Sequence, residues 1–159
     1  MRKIALTFVV LLSLAGLSIG MGLAQSGHFL DKNTKATCSG ESLRVCFKEA
    51  GLGNLPTSSA VQITLSGNAS ALQQCFTKSG QEPQAENKRD NVPFTSTGSF
   101  PVDKNGSVTG CLTSEPPDSD FSCPHGQVLR SHTTYTNITL TDNTTGATTT
   151  IPGTITCSQ

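Results

Sequence analysis

Residues 94–113 read FTSTGSFPVDKNGSVTGCLT. Two runs of strand-forming residues, Phe94 to Val102 and Ser107 to Thr113, flank Asp103-Lys104-Asn105-Gly106. Asn-Gly supplies the positive-φ residues of a tight hairpin turn, so the segment predicts two antiparallel strands joined at 103–106.

Working outward, the same grammar recurs. Leu43, Val45 and Phe47 alternate with Arg44, Cys46 and Lys48, the pattern of a half-buried strand. Ser39-Gly40-Glu41-Ser42 reverses the chain from a short strand at Ala36 to Cys38. Val61, Ile63 and Leu65 alternate next, and Ala71 to Phe76 is a less regular fourth strand. Residues 25–35 are polar and read as a loose lead-in. Residues 78–93, with two prolines and almost no large apolar side chain, read as a long surface loop, and 114–126 as another. Toward the C-terminus Thr134, Thr136, Ile138 and Leu140 fall on one strand face and Tyr135, Asn137, Thr139 and Thr141 on the other. Residues 142–146 form a turn, Ala147, Thr149 and Ile151 return antiparallel, and Pro152-Gly153 kinks the chain before Ile155 and Cys157. The expectation is seven to nine antiparallel strands, no helix, and two packed sheets over residues 36–159: an all-β, immunoglobulin-like β-sandwich stapled by disulfides.

At the N-terminus Met1-Arg2-Lys3 precedes an apolar run from Ile4 to Leu23, and small residues at Gly22 and Ala24 fit cleavage after Ala24. Residues 1–24 therefore read as a signal peptide and the product as secreted or periplasmic. The run is also long enough to span a bilayer, so an uncleaved leader would be its one membrane contact. No cysteine follows the cleavage site, which argues against a lipid anchor. After residue 24, nine Lys or Arg face eleven Asp or Glu, too even and scattered a balance for electrostatic nucleic-acid binding. Val, Ile, Leu and Phe make up 25 of those 135 residues, a lean core supply. Six cysteines after the leader, an even number, suit an oxidising compartment and make up for that shortage. Cys38, Cys46, Cys75, Cys111, Cys123 and Cys157 allow fifteen pairings. No Cys-x-x-Cys occurs, and Cys123-Pro124-His125-Gly126 lacks the second cysteine of a redox motif.

Glu49-Ala50-Gly51-Leu52-Gly53-Asn54, Val61 to Leu65, Gln81 to Lys88 and Gly98 to Val102 before the Asn-Gly turn carry a resemblance. Together with the Cys-Pro loop and Thr-rich ending, they are similar to a group of small exported bacterial proteins of immunoglobulin-like type. The resemblance spans most of residues 40–155, implies export and a β-sandwich, and carries over no active site. It implies that Cys75 and Cys123 are recurring positions and Cys46 and Cys111 additions. Because that recurring pair also borders two long loops, Cys75 is paired with Cys123. Cys38 and Cys157, near the two ends of the domain, form a second pair, which leaves Cys46 for Cys111.

Reactive constellations are sparse. Gly106-Ser107-Val108-Thr109-Gly110 places its serine one position early for a nucleophile elbow. His125 and His132, with the acidic residues Glu115, Asp118 and Asp120, are the candidates for a metal site or a hydrolytic centre; the plainer reading is solvated loop residues. Asp103-Lys104-Asn105-Gly106 looks like the start of a Ca²⁺ loop but is explained as a turn. Asn68, Asn105, Asn137 and Asn143 head glycosylation-type tripeptides, which a Thr- and Ser-rich chain contains by chance. The face of Tyr135, Asn137, Thr139 and Thr141 suits carbohydrate docking, whereas an ice-binding array would need a longer Thr-x-Thr repeat on one face. The expectation is a non-catalytic exported module without a cofactor that binds an extracellular protein or glycan. The alternative is a metal-dependent or hydrolytic enzyme.

Overall fold

The computed structural model describes residues 26–56, 58–80, 85–118 and 120–159. The expected signal peptide, its expected cleavage point and residues 81–84 of the expected loop lie outside them. Among the described residues there are nine strands: β1 His28–Phe29, β2 Lys35–Ser39, β3 Ser42–Ala50, β4 Ala60–Thr77, β5 Ala85–Pro101, β6 Val108–Ser114, β7 Gln127–Asp142, β8 Thr148–Ile151 and β9 Ile155–Ser158. One 3-10 turn, Asp31–Asn33, is the sole helical piece among those residues. All strand pairs are antiparallel. In the first sheet β3 is central, with β6 along one side and β2 and β1 along the other. The second runs β5-β4-β7, with β8 and β9 sharing the far edge of β7.

The alternating residues dictate how these sheets face one another. Leu43, Val45 and Phe47 from β3 meet Val61, Ile63 and Leu65 from β4 and Tyr135, Ile138 and Leu140 from β7, all fully buried in one cluster. Phe47 sits between Phe29 and Phe100, edge-on to each at centroid distances of 5.8 and 5.1 Å. This is an all-β sandwich with its core between the layers.

Four expectations are corrected. The 103–106 turn forms, closed by the Gly106 N–H on the Asp103 carbonyl at 3.0 Å and the Asp103 N–H on the Ser107 carbonyl at 2.8 Å. Its arms do not pair as a hairpin, however: β5 joins the second sheet and β6 the first. Phe100 explains the divergence, because its ring lies over Gly110 of β6 where any Cβ would collide with it. The turn is thus a corner between layers. Residues 85–93 are strand rather than loop, since β5 tracks β4 as far as Cys75 opposite Ala85. Their polarity suits an edge strand, where Pro93 also costs no central ladder bond. Residues 26–35 of the expected loose lead-in are tied to the fold, because Phe29 is buried and β1 pairs with the end of β3. Ala71 to Phe76 is no separate strand but the continuation of β4.

Three disulfides close the structure. Cys38–Cys157 joins β2 to β9 across the two sheets with Cα atoms 5.3 Å apart. Cys46–Cys111 links directly opposed residues of β3 and β6 at 4.0 Å. Cys75–Cys123 ties β4 to the segment before β7 at 5.5 Å. These are the pairs chosen from the resemblance and chain ends, and three disulfides suit an oxidising environment outside the cytoplasm.

Candidate functional site

The outer face of the second sheet is built by register. Thr64 of β4 pairs with Thr97 of β5 on one side and Thr141 of β7 on the other, and Thr141 pairs with Thr148 of β8. Two residues along each strand, Ser66 pairs with Thr95 and Thr139, and Thr139 with Thr150. The result is two parallel four-strand rows, Thr97-Thr64-Thr141-Thr148 and Thr95-Ser66-Thr139-Thr150. Neighbouring strands are about 4.8 Å apart and alternate residues along a strand about 6.8 Å apart, so the hydroxyls form a two-dimensional grid. Ser70, Thr134 and Thr156 add a partial row. No Asp, Glu, Lys or Arg occupies any of these positions. Thr64 Oγ1 lies 3.0 Å from Thr97 Oγ1 and accepts from Asn143 Nδ2 at 2.8 Å, so part of the grid is already oriented.

A single residue makes this face. Asn137 sits at φ 53°, and β7 has two residues between the Thr136 and Thr139 register positions where β4 has one, Gly67, between Asn68 and Ser66. This β-bulge reverses the parity of the strand. Ser131, Thr133 and Tyr135 point inward before it, and Ile138, Leu140 and Asp142 after it. Thr134, Thr136, Thr139 and Thr141 consequently share the outer face. The expected surface of Tyr135, Asn137, Thr139 and Thr141 is therefore corrected: Tyr135 is fully buried and belongs to the core. Its hydroxyl donates to the Glu41 carbonyl at 2.9 Å and the Ser114 carbonyl at 3.3 Å, and burial pushes the phenol up to about 12. Asparagine tolerates the left-handed region, which was the available signal for the bulge in the sequence.

On the inner side of the long β4-β5-β7 arm, the 114–118 segment walls a groove of about 420 Å³ lined by Val92, Phe94, Glu115, Pro116, Pro117 and Asp118. Glu41 lies beside it, accepting hydrogen bonds from the Ser131 hydroxyl and, at 3.3 Å, from Thr133 Oγ1. Glu115 accepts from Ser42 Oγ at 2.6 Å. Serine and threonine hydroxyls thus pin two carboxylates at the groove.

The candidate metal residues are distributed differently. His132 takes the outer face, because its neighbours Ser131 and Thr133 point inward to Glu41, whereas Glu115 and Asp118 line the inner groove. His125 and Asp120 are exposed on the chain leading into β7. Among the described residues no three His, Cys, Asp or Glu side chains gather to hold a metal ion. The chain matches no protein-family model, and no curated protein is detectably similar to it.

Proposed function

We propose that the protein is an exported, non-catalytic module of immunoglobulin-like type that docks a neutral polysaccharide on the outer face of its second sheet. The observation that carries this reading is the charge-free hydroxyl grid centred on Thr64, Ser66, Thr139 and Thr141. Hydroxyls both donate and accept, so a regular array of them matches a polymer whose own exposed groups are hydroxyls, and the threonine methyls give apolar contact between them. A charged protein surface would find no complementary charge there. Export follows from the reading of residues 1–24 as a signal peptide and from the resemblance to small secreted bacterial proteins, and the three disulfides support it.

Co-sedimentation of the purified protein with insoluble cellulose, chitin and β-1,3-glucan tests this. Binding to at least one polymer, unchanged between low and high salt because no ion pairs are involved, is the expected result. Absence of binding to all three, or binding abolished by salt, overturns it. The enzymatic alternative built on His125, His132 and the 115–120 segment has its own readout. One equivalent of zinc or copper retained by the purified protein would favour it over the non-catalytic reading.

A further inference from the structure

Glu49 in β3 and Asp142 at the end of β7 come from opposite sheets, and both are fully buried. Asp142 has its donors in place: the Thr144 amide reaches Oδ1 at 2.7 Å and the Thr145 hydroxyl reaches Oδ2 at 2.8 Å. The same hydroxyl lies 3.4 Å from Glu49 Oε1, while Glu49 Oε2 is buried with no donor directed at it. Among the described residues no Lys, Arg or His nitrogen comes within 4.0 Å of either carboxyl group. The N-terminal segment covers the pair so closely that a Cβ on Gly27 would lie 2.6 Å from Glu49 Oε1 and 2.9 Å from Thr145 Oγ1.

The other titratable groups on the packed elements do not relieve this arrangement. His28 of β1 is exposed and its Nδ1 lies 3.1 Å from the Ser26 carbonyl. Lys48 points to the opposite face of β3. Asp103, in the turn beside Leu52, has its Oδ1 occupied by the amides of Asn105 and Ser107. Two carboxylates that face one Thr145 hydroxyl, shielded from water and lacking a cation, resist being ionised together. A proton on Glu49 Oε2, donated to Asp142, satisfies the orphan oxygen and removes one charge.

We propose that Glu49 and Asp142 share one proton that fastens the ends of the two sheets and the N-terminal strand together, a clasp closed in acid and loosened in alkali. Burial first, and then the charge of Asp142, push the Glu49 carboxyl up from its ordinary 4.5 to about 7. The folded state therefore holds a proton that the unfolded chain releases. The stabilisation is complete below about pH 4.5, falls through the interval up to about 7, and is absent above it.

Equilibrium unfolding of the wild-type protein and Glu49→Gln from pH 5 to 9 tests the clasp. Glutamine is neutral throughout and donates to Asp142, so it mimics the protonated state. The ratio of wild-type to variant unfolding constants is expected to rise roughly tenfold per pH unit between 5 and 7 and to level off above. Amide exchange of Leu30, whose N–H reaches the Lys48 carbonyl at 2.8 Å, reads the local event: it should be faster in wild type than in the variant at pH 8 and equal at pH 5. Asp142→Asn removes the neighbouring charge but not the burial of Glu49, so it should reduce the pH dependence without abolishing it, and it serves if Glu49→Gln fails to fold. A ratio constant across the range overturns the proposal. So does wild-type stability at pH 8 restored by millimolar CaCl₂ and abolished by chelator, which would assign the pair to a cation.

Discussion

Tyr135 has the largest fully buried side chain of the domain, and its position shows how one residue joins core to surface. Its ring stands edge-on to Phe94 at 5.5 Å, and its hydroxyl holds the backbone at Glu41 and Ser114. Tyr135→Phe keeps the packing and orphans those carbonyls, so urea denaturation should show a loss of about 1–2 kcal/mol. Gly110 is the complementary case. A methyl group there collides with the Phe100 ring, so Gly110→Ala should cost about 1–3 kcal/mol through overpacking, also by denaturation. Both roles escaped the sequence for a local reason. Strict alternation put Tyr135 outward and Thr134 inward, and nothing in a single glycine announces a ring from another sheet.

At the scale of the element, alternating runs translated well. The β3 face of Leu43, Val45 and Phe47 and the β4 face of Val61, Ile63 and Leu65 are core as read, because nothing interrupts their period. Errors arose where the period breaks. β5 and β7 each carry an asparagine in the left-handed region, Asn91 at φ 52° and Asn137 at φ 53°, and at each the ladder against β4 shifts register. The charged residues of β5 that resemble loop are what an exposed edge demands. Asn137 should therefore be replaceable by glycine at little cost. A β-branched residue at that φ is strained, and Asn137→Ile should lose about 1–3 kcal/mol in chemical denaturation. The threonine face depends on that bulge, so the same variant should also weaken polysaccharide binding.

At the scale of the whole molecule, one device closes each long edge of the sandwich. The corner at 103–106 passes the chain between the sheets on one side, and Cys38–Cys157 ties β2 to β9 on the other. With a lean apolar supply, the covalent tie carries a large share of stability: Cys38→Ser with Cys157→Ser should cost about 2–5 kcal/mol by thermal or urea unfolding. Two layers and an even cysteine set were legible because composition and spacing constrain them. The hydroxyl grid was not, since it arises from the register of four strands distant in sequence.

The central claim, that the uncharged grid is the recognition surface, is tested most directly by comparing two sets of variants in one polysaccharide-binding isotherm. Thr64→Lys with Thr141→Lys puts charge at the centre of the grid, and Glu41→Gln with Glu115→Gln and Asp118→Asn neutralises the groove. With folding of each verified, the account predicts at least a tenfold loss of affinity in the first set and less than a twofold change in the second. Retained affinity in the grid variant, or a loss confined to the groove variant, would contradict it.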